Sequence, residues 1–326
     1  MAAAKGQIRP FLDETRKAAK RILEHVEKGN AISVVSHMDA DGISAAGIMG
    51  AALSRMGATF RVRIERWFDK KVTETIAAEK KTLTVLTDMG SGYLDALNEK
   101  VKGKPLIILD HHQPDVEADK AFVHVNPQLF GFDSARDISG AGIAYLTAKA
   151  LSEGNRDLAC IGVVGALGDL QDKNKERSLG GANQLVVEDA VSSGSLELVT
   201  DLLFFGRETR PIHKALAYTT TPFIPGISGE EDKSLAFLMG LGIKPKIGEK
   251  WRALRDLSQD EKRQIFSALS DYLVSKGLKS NLAMSLLGTA YVLTHEEPWT
   301  PLRDAREFAL LLNSTGRTGK SSLGVA

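Results

Sequence analysis

AISVVSHMDADG, residues 31–42, opens as a short apolar run and ends in a histidine, two aspartates and a glycine. Ala31 to Ser36 reads as a buried strand of the near-continuous apolar kind found in parallel sheets. Gly42 allows a tight turn into a helix. Gly42 to Met56 (GISAAGIMGAALSRM) carries the alanines and glycines of a closely packed helical face. The alternation continues outward. Strands are predicted over 59–64, 82–87 (TLTVLT), 105–109 (PLIIL) and 121–125, and helices over 72–79, 92–98, 138–151 and 158–167. Such βα alternation predicts an α/β fold, a mainly parallel sheet flanked by helices on both faces.

Upstream, residues 1–30 read as a leading helix, with Phe11, Ala18, Ile22 and Val26 at helical spacing and Gly29-Asn30 as its stop. Beyond about residue 181 the strand signals fade. Residues 183–191, 196–205 and 260–276 read as helices, and 211–229, punctuated by Pro, Gly and Thr219-Thr220-Thr221, as a loop-rich connector. Residues 302–312 read as a helix leading into the glycine-rich turns of NSTGRTGKSSLGVA. The expected organisation is an α/β domain over 1–205, a mostly helical and loop-rich region over 206–299, and the opening of a further, truncated domain over 300–326.

Composition bounds the function. The 326 residues carry 42 Lys and Arg against 41 Asp and Glu, a net charge of +1, and 43% are hydrophobic. A chain of this size buries an adequate core without staples. Near-neutrality excludes a surface that is a polyanion trap throughout and still permits a local basic groove. Cys160 is the sole cysteine, so neither an intrachain disulfide nor a Cys-type zinc site can form, and a reducing compartment fits best. Apolar runs such as Ile161 to Leu167 fall far short of the ~20 residues of a bilayer span. The charged N-terminus lacks the apolar core of a signal peptide. A cytoplasmic location without a membrane partner is expected.

Acids and imidazoles gather at four points: Ser36-His37-Met38-Asp39-Ala40-Asp41-Gly42 after the first strand, Asp88-Met89-Gly90 after the third, Asp110-His111-His112 after the fourth, and Gly168-Asp169 at the end of an apolar helix. In an open parallel sheet ligands gather at the carboxyl ends of the strands, so groups far apart in sequence converge there. One Asp after a strand is ordinarily a helix N-cap or turn residue; four clusters in topological order are not explained that way. Asp39, Asp41, Asp88, Asp110 and Asp169 in one crevice would repel one another and raise each other's pKa, so cations must offset them. Oxygen-rich donors with imidazoles and no thiolate suit manganese or magnesium ahead of zinc or iron, and manganese is the expected ion. Two such ions about 3.5–4 Å apart would clamp a phosphoryl transfer, with Asp88 the natural bridging carboxylate. Asp172 reads as solvated.

These residues resemble the motifs of the DHH phosphoesterase superfamily. The run Asp110-His111-His112-Gln113-Pro114, with Asn126-Pro127, Ser139-Gly140-Ala141-Gly142 and Asn313-Ser314-Thr315-Gly316-Arg317, is most similar to the archaeal RecJ-like exonucleases. The resemblance implies that His37 and Asp39 hold a first metal ion, that Asp41, His111 and Asp169 hold a second, and that Asp88 bridges. It implies that His112 faces the scissile phosphate, that Asp110 orients an imidazole, and that Asn313, Gly316 and Arg317 meet substrate, together with Ser139; Arg66, from a basic and aromatic run, is expected to join them. Residues 1–205 would be the DHH catalytic domain and 300–326 the start of its associated substrate-binding domain. The activity implied is a two-metal phosphodiesterase, a single-strand-specific exonuclease on DNA or RNA ends using metal-activated water, with a role in replication or repair. Two alternatives stay open: a phosphodiesterase of cyclic dinucleotides or short oligonucleotides, and a replisome scaffold that binds the GINS complex and the replicative helicase.

Weaker signals remain. GRTGKS, residues 316–321, lacks the first glycine of a P-loop, since position 314 is Ser. Arg61, Arg63, Arg66, Lys70 and Lys71 surround Trp67 and Phe68, a pattern that either grips a single strand by charge and stacking or forms a solvated strand end. Trp251 and Trp299 read as core or interface packing.

Overall fold

The protein is described as a computed structural model, covering residues 2–79, 82–278 and 281–326. The chain forms two compact units, one of Met1–Lys173, Leu179–Leu196 and Ala309–Ala326, the other of Asn174–Ser178 and Glu197–Phe308.

The first unit runs α1 (Ala2–Glu27), β1 (Ala31–His37), α2 (Ala40–Arg55), β2 (Phe60–Glu65), α3 (Lys70–Ala78), β3 (Thr82–Thr87), α4 (Leu94–Lys100), β4 (Leu106–Leu109), β5 (Val123–Val125), α5 (Gly140–Leu151), α6 (Ala159–Gly168) and α7 (Asn183–Ser192). Its five strands are all parallel, in the order β2-β1-β3-β4-β5. The predicted α/β fold is therefore observed. Side chains alternate across the sheet. Val35, Leu86 and Ile108 point to one face, where they pack with Val72, Ile76, Leu94 and Leu97 of α3 and α4. The other face is covered by α1, α2 and α5, with α6 packed on α2 and α5. The predicted anchors of α1, Phe11, Ala18 and Ile22, are fully buried.

The strand order matters for function. From β1 the chain moves outward to β2, then crosses back over β1 to β3. The connections above β1 and β3 consequently diverge and leave a crevice at their carboxyl ends. Ser36 and Thr87, paired in register at the last turn of the two strands, lock that rim: Thr87 Oγ1 donates to Ser36 Oγ at 2.7 Å, and Ser36 Oγ donates to the Gly42 carbonyl at 2.6 Å.

The second unit holds β6 (Leu196–Leu202), α8 (Ile212–Ala217), α9 (Glu231–Gly240), the hairpin β7 (Lys246–Ile247) and β8 (Lys250–Trp251), α10 (Gln259–Ser275), α11 (Asn281–Met284) and β9 (Leu287–Leu293). Its core gathers Ile212, Leu216, Leu238, Ile265, Leu269 and Leu286. Three expectations are corrected here. Residues 196–202 are a strand rather than a helix. Their apolar positions fit both periods, and pairing with β9, helped by β-branched Val199 and Thr200, decides the outcome. The expected loop over 211–229 contains α8. Trp251 and Trp299 are partly exposed, with Lys246 and Lys250 ammonium groups 4.3 and 4.1 Å from their respective rings, so they are cation-capped surface groups and not core.

The chain ends in α12 (Ala305–Arg317) and α13 (Ser321–Val325). Residues 313–317, expected as turns, continue α12. Ser314 and Thr315 hydroxyls bond back to the carbonyls of Leu310 and Leu312, which accommodates them in the helix. Among the described residues, no helix is long and apolar enough to cross a membrane.

Candidate metal centre

All four acid and imidazole clusters meet at the crevice above β1 and β3. His37, Asp39 and Asp88 present one set of donor atoms within 4.8 Å of one another; Asp41, His111 and Asp169 present a second; Asp88, His111 and His112 a third. Asp88 and His111 are shared, and His111 Nε2 lies 3.3 Å from Asp88 Oδ1, 3.2 Å from Asp169 Oδ2 and 3.7 Å from Asp41 Oδ2.

Each side chain is placed by backbone that local sequence explains. Asp39 caps α2: its Oδ1 accepts the Gly42 N–H at 3.0 Å, while Oδ2 lies 2.9 Å from His37 Nδ1. The ordinary N-cap role and a ligand role thus use different oxygens of one carboxylate. Gly42 is obligatory, because a Cβ there would overlap the His37 carbonyl. Asp88 sits at φ 55°, a left-handed conformation that Asp tolerates better than most residues. Its N–H donates to the Leu109 carbonyl at 2.9 Å, extending the β3–β4 ladder and turning the side chain into the crevice.

Asp41 is wholly buried, and its two oxygens accept the Gly140 and Ala141 N–H groups at 2.6 and 2.9 Å at the start of α5. A helix N-terminus favours the anion it faces. The approach needs glycines. A Cβ on Gly140 would stand 2.7 Å from Asp88 Cβ, and one on Gly165 would stand 2.6 Å from Asp41 Oδ1 while overlapping Ala141 Cβ. Gly165→Ala is accordingly expected to lower unfolding stability by about 1–3 kcal/mol, read as a lower denaturant midpoint with an unchanged slope.

His111 Nδ1 lies 2.9 Å from the Ser134 carbonyl, which can only accept. That fixes the tautomer with Nδ1–H donating and leaves the Nε2 lone pair facing the carboxylates, as in a metal-ligating imidazole. Asp110 is buried and accepts the Ser91 N–H at 2.8 Å and the His112 Nδ1–H at 2.8 Å. The Asn126 amide donates to the His112 carbonyl, and the Gln128 amide to the His111 carbonyl, both at 2.8 Å.

The electrostatics follow from this crowding of charge. Burial, then the neighbouring carboxylates Asp88 and Asp169, raises Asp41 well above the usual carboxylate range, and burial with the Asp39 charge raises Asp88. The facing Asp39 and Asp88 carboxylates raise His37 to about 10. Burial works against ionisation of Asp39, but His37 and the Gly42 N–H outweigh it and hold the carboxyl down at about 2. Both Asp88 oxygens, His111 Nε2 and His37 Nδ1 are buried without a partner in hydrogen-bond geometry. Buried polar atoms are ordinarily satisfied. Orphaned oxygens and nitrogens converging on shared points are what divalent ions would satisfy, and an oxygen-rich, thiolate-free donor set fits manganese or magnesium.

Residues 31–165 match the DHH family, N-terminal domain, and residues 204–287 match the DHH-CID domain, together more than half of the chain. The chain belongs to the DHH family. Phosphoesterase chemistry is the chemistry of that family, and the match covers β1 through most of α6, the elements that build the centre. The uncharacterized protein MJ0831 of Methanocaldococcus jannaschii is 30% identical over 322 residues, 96% of this chain and 68% of its own length. The single-stranded-DNA-specific exonuclease RecJ of Bacillus subtilis is 27% identical over 172 residues; the match takes in 49% of this chain and 22% of RecJ. The crystal structure of CDC45 from Entamoeba histolytica superposes with a TM-score of 0.69 at 12% identity, covering 96% of this chain and 67% of that one, a likeness of fold.

The remaining expected site residues fall in three places. Arg66 and Arg317 line one cleft of about 610 Å³ with Met38, Ile64 and Gly316. Asn313 Oδ1 accepts the Ala40 N–H at 2.9 Å, and Gly316 packs so closely on the Met38 carbonyl that a Cβ would overlap it. These two therefore brace the His37–Asp41 turn. Ser139 is fully buried, and its hydroxyl accepts the Gly142 N–H to cap α5, so it steadies the amides that hold Asp41. Asp172 is corrected, being buried where the chain folds back after α6. Arg61 pairs with Glu79. Sequence reasoning missed the supporting roles of Ser91, Gln128 and Ser134, for which only the Asn126-Pro127 and SGAG runs offered a signal.

Proposed function

We propose that the protein is a two-metal-dependent phosphodiesterase, a RecJ-like exonuclease that releases nucleotides from the ends of single-stranded DNA or RNA, with manganese the preferred ion. The observation that carries the reading is the pair of donor triads, His37–Asp39–Asp88 and Asp41–His111–Asp169, brought together where Asp88 Oδ1 lies 3.3 Å from His111 Nε2, with both Asp88 oxygens orphaned, at the switch point of a parallel sheet. His37, Asp39 and Asp88 would hold one ion, Asp41, His111 and Asp169 the other, with Asp88 between them. Ions bound there would acidify water and stabilise charge on both the attacking and leaving oxygens. His112 supplies what the chain itself adds. Its Nδ1–H is held by Asp110, so Nε2 is free for the phosphodiester, and the Asp110 carboxylate raises the imidazole's pKa. The ring can thus present a proton to a phosphate or to the departing oxygen. Asp110 orients that ring, and Arg66 and Arg317 would attract the phosphates of the strand.

The test is digestion of end-labelled single strands of increasing length with manganese, beside the matching duplex and a cyclic dinucleotide. Expected are mononucleotides from single-strand ends, at a rate that holds as the strand lengthens and vanishes with chelator. Release confined to dinucleotides would replace this reading with a small-substrate phosphodiesterase, and release indifferent to chelator would end the metal reading.

A further inference from the structure

Arg66-Trp67-Phe68 joins β2 to α3 directly beside the centre. The loop is pinned on its far side: Phe68 is buried in the core beneath α3, and the next residue, Asp69, caps that helix by accepting the Val72 N–H at 2.9 Å. Trp67 is nonetheless 67% exposed, an indole held outward on an anchored loop, with the Arg66 guanidinium 5.6 Å from its ring centre. Half-exposed Tyr93 stands beside it, its ring 4.9 Å from that of Phe68 at an interplanar angle of 30°. These rings line a cavity of about 320 Å³ whose lining passes from Trp67, Phe68 and Tyr93 through Gly90 and Gly92 to His37, Asp88, Asp110 and His112. The two glycines leave that wall without side chains. Metal donors therefore line one side of a single cavity, and aromatic rings line another.

From this juxtaposition we infer that the cavity walled by Trp67 and Tyr93 receives the nucleobase of the nucleotide whose phosphodiester lies over His37, Asp88 and His112, and holds it by stacking. The inference rests on the phosphodiesterase reading above. Its volume is at the small end of ligand pockets, which begin at about 300 Å³, so it suits one base turned out from its neighbours and not a base pair. Stacking accepts any base, because every base offers a π face. Trp67 and Tyr93 are positioning residues for a single-stranded end, and the cavity makes tolerance of sequence and rejection of duplex two results of one shape.

Trp67→Ala is expected to raise KM for a single strand about tenfold, with kcat within about twofold of wild type, and Trp67→Phe to restore most of the loss. A strand with an abasic terminal nucleotide supplies the second arm of a double-mutant cycle. Wild type should lose about as much on that strand as Trp67→Ala loses on the intact one, and Trp67→Ala should lose nothing more. Equal further losses in both proteins, or an unchanged KM in Trp67→Ala, would overturn the stacking assignment in favour of a structural or idle Trp67. Binding of a strand with terminal 2-aminopurine is read separately, by fluorescence, on Asp88→Asn protein without added metal. Quenching that disappears with Trp67→Ala supports the inference even where no nucleotide is released, and quenching indifferent to Trp67 defeats it even where the exonuclease assignment stands.

Discussion

Asp88→Asn is expected to lower manganese-dependent nucleotide release by about a thousandfold or more, with the circular dichroism spectrum and elution volume unchanged. Asn is the informative replacement because it tolerates the left-handed backbone at this position as Asp does. It keeps the turn and the β3–β4 hydrogen bond while removing one negative charge and one donor oxygen. Both carboxylate oxygens of Asp88 are buried and unpartnered, and they stand nearest to the imidazoles of His37, His111 and His112. Among the donor sets of the site, Asp88 is the one side chain that stands both with His37 and Asp39 and with His111 and His112, so its loss is not taken up by a neighbour. Asp260→Asn, at the exposed start of α10, changes the same charge and should keep the full rate. Release by Asp88→Asn at more than a tenth of the wild-type rate would place the chemistry elsewhere.

The part of this centre that was legible in the sequence was the part the sheet delivers. Parallel strands buried on both faces are apolar runs, so β1, β3 and β4 stood out, and the polar groups after each had to lie on one edge. The means by which that edge is held together was not legible. Asp41 is secured by amides 99 and 100 residues away, and Gly165, in the middle of an apolar helix, is the space that lets α6 reach the same carboxylate. Neither relation leaves a local pattern. The cap that Ser139 makes on α5 was equally hidden, since a serine before glycines reveals a cap only once its burial is known. Residues 196–202 satisfied two periodicities, and a strand partner some 90 residues downstream resolved them. The base-stacking wall was half visible: the basic and aromatic run at 61–71 was apparent, but Tyr93 joins it only through the sheet order.

A second large effect concerns stability. Asp41 and Asp88 are carboxylates whose folded pKa is raised, by burial first and then by neighbouring acids. A raised carboxylate pKa costs folding free energy above both pKa values, and the cost is relieved as pH falls. At neutral pH the metal-free protein therefore carries strain that ions would remove. Manganese at about 100 times its Kd contributes about 2.7 kcal/mol, which in a chain of this size is expected to raise Tm by about 4 °C. Asp88→Asn should melt above wild type without metal and gain little from manganese, trading activity for stability. The pH dependence has a definite sign. His37 has a folded pKa raised from 6.5 to about 10, so its pairing with Asp39 and Asp88 stabilises the metal-free protein fully below 6.5 and is lost as pH rises through about 10. Ions must displace that proton, so metal binding at neutral pH releases protons and tightens as pH rises. The Tm difference between manganese-loaded and metal-free protein is expected to widen between pH 6.5 and 9, with proton release visible as a dependence of the calorimetric binding enthalpy on buffer. A difference that narrows with pH, or one that Asp88→Asn shows in full, would mean that the ions bind away from these carboxylates.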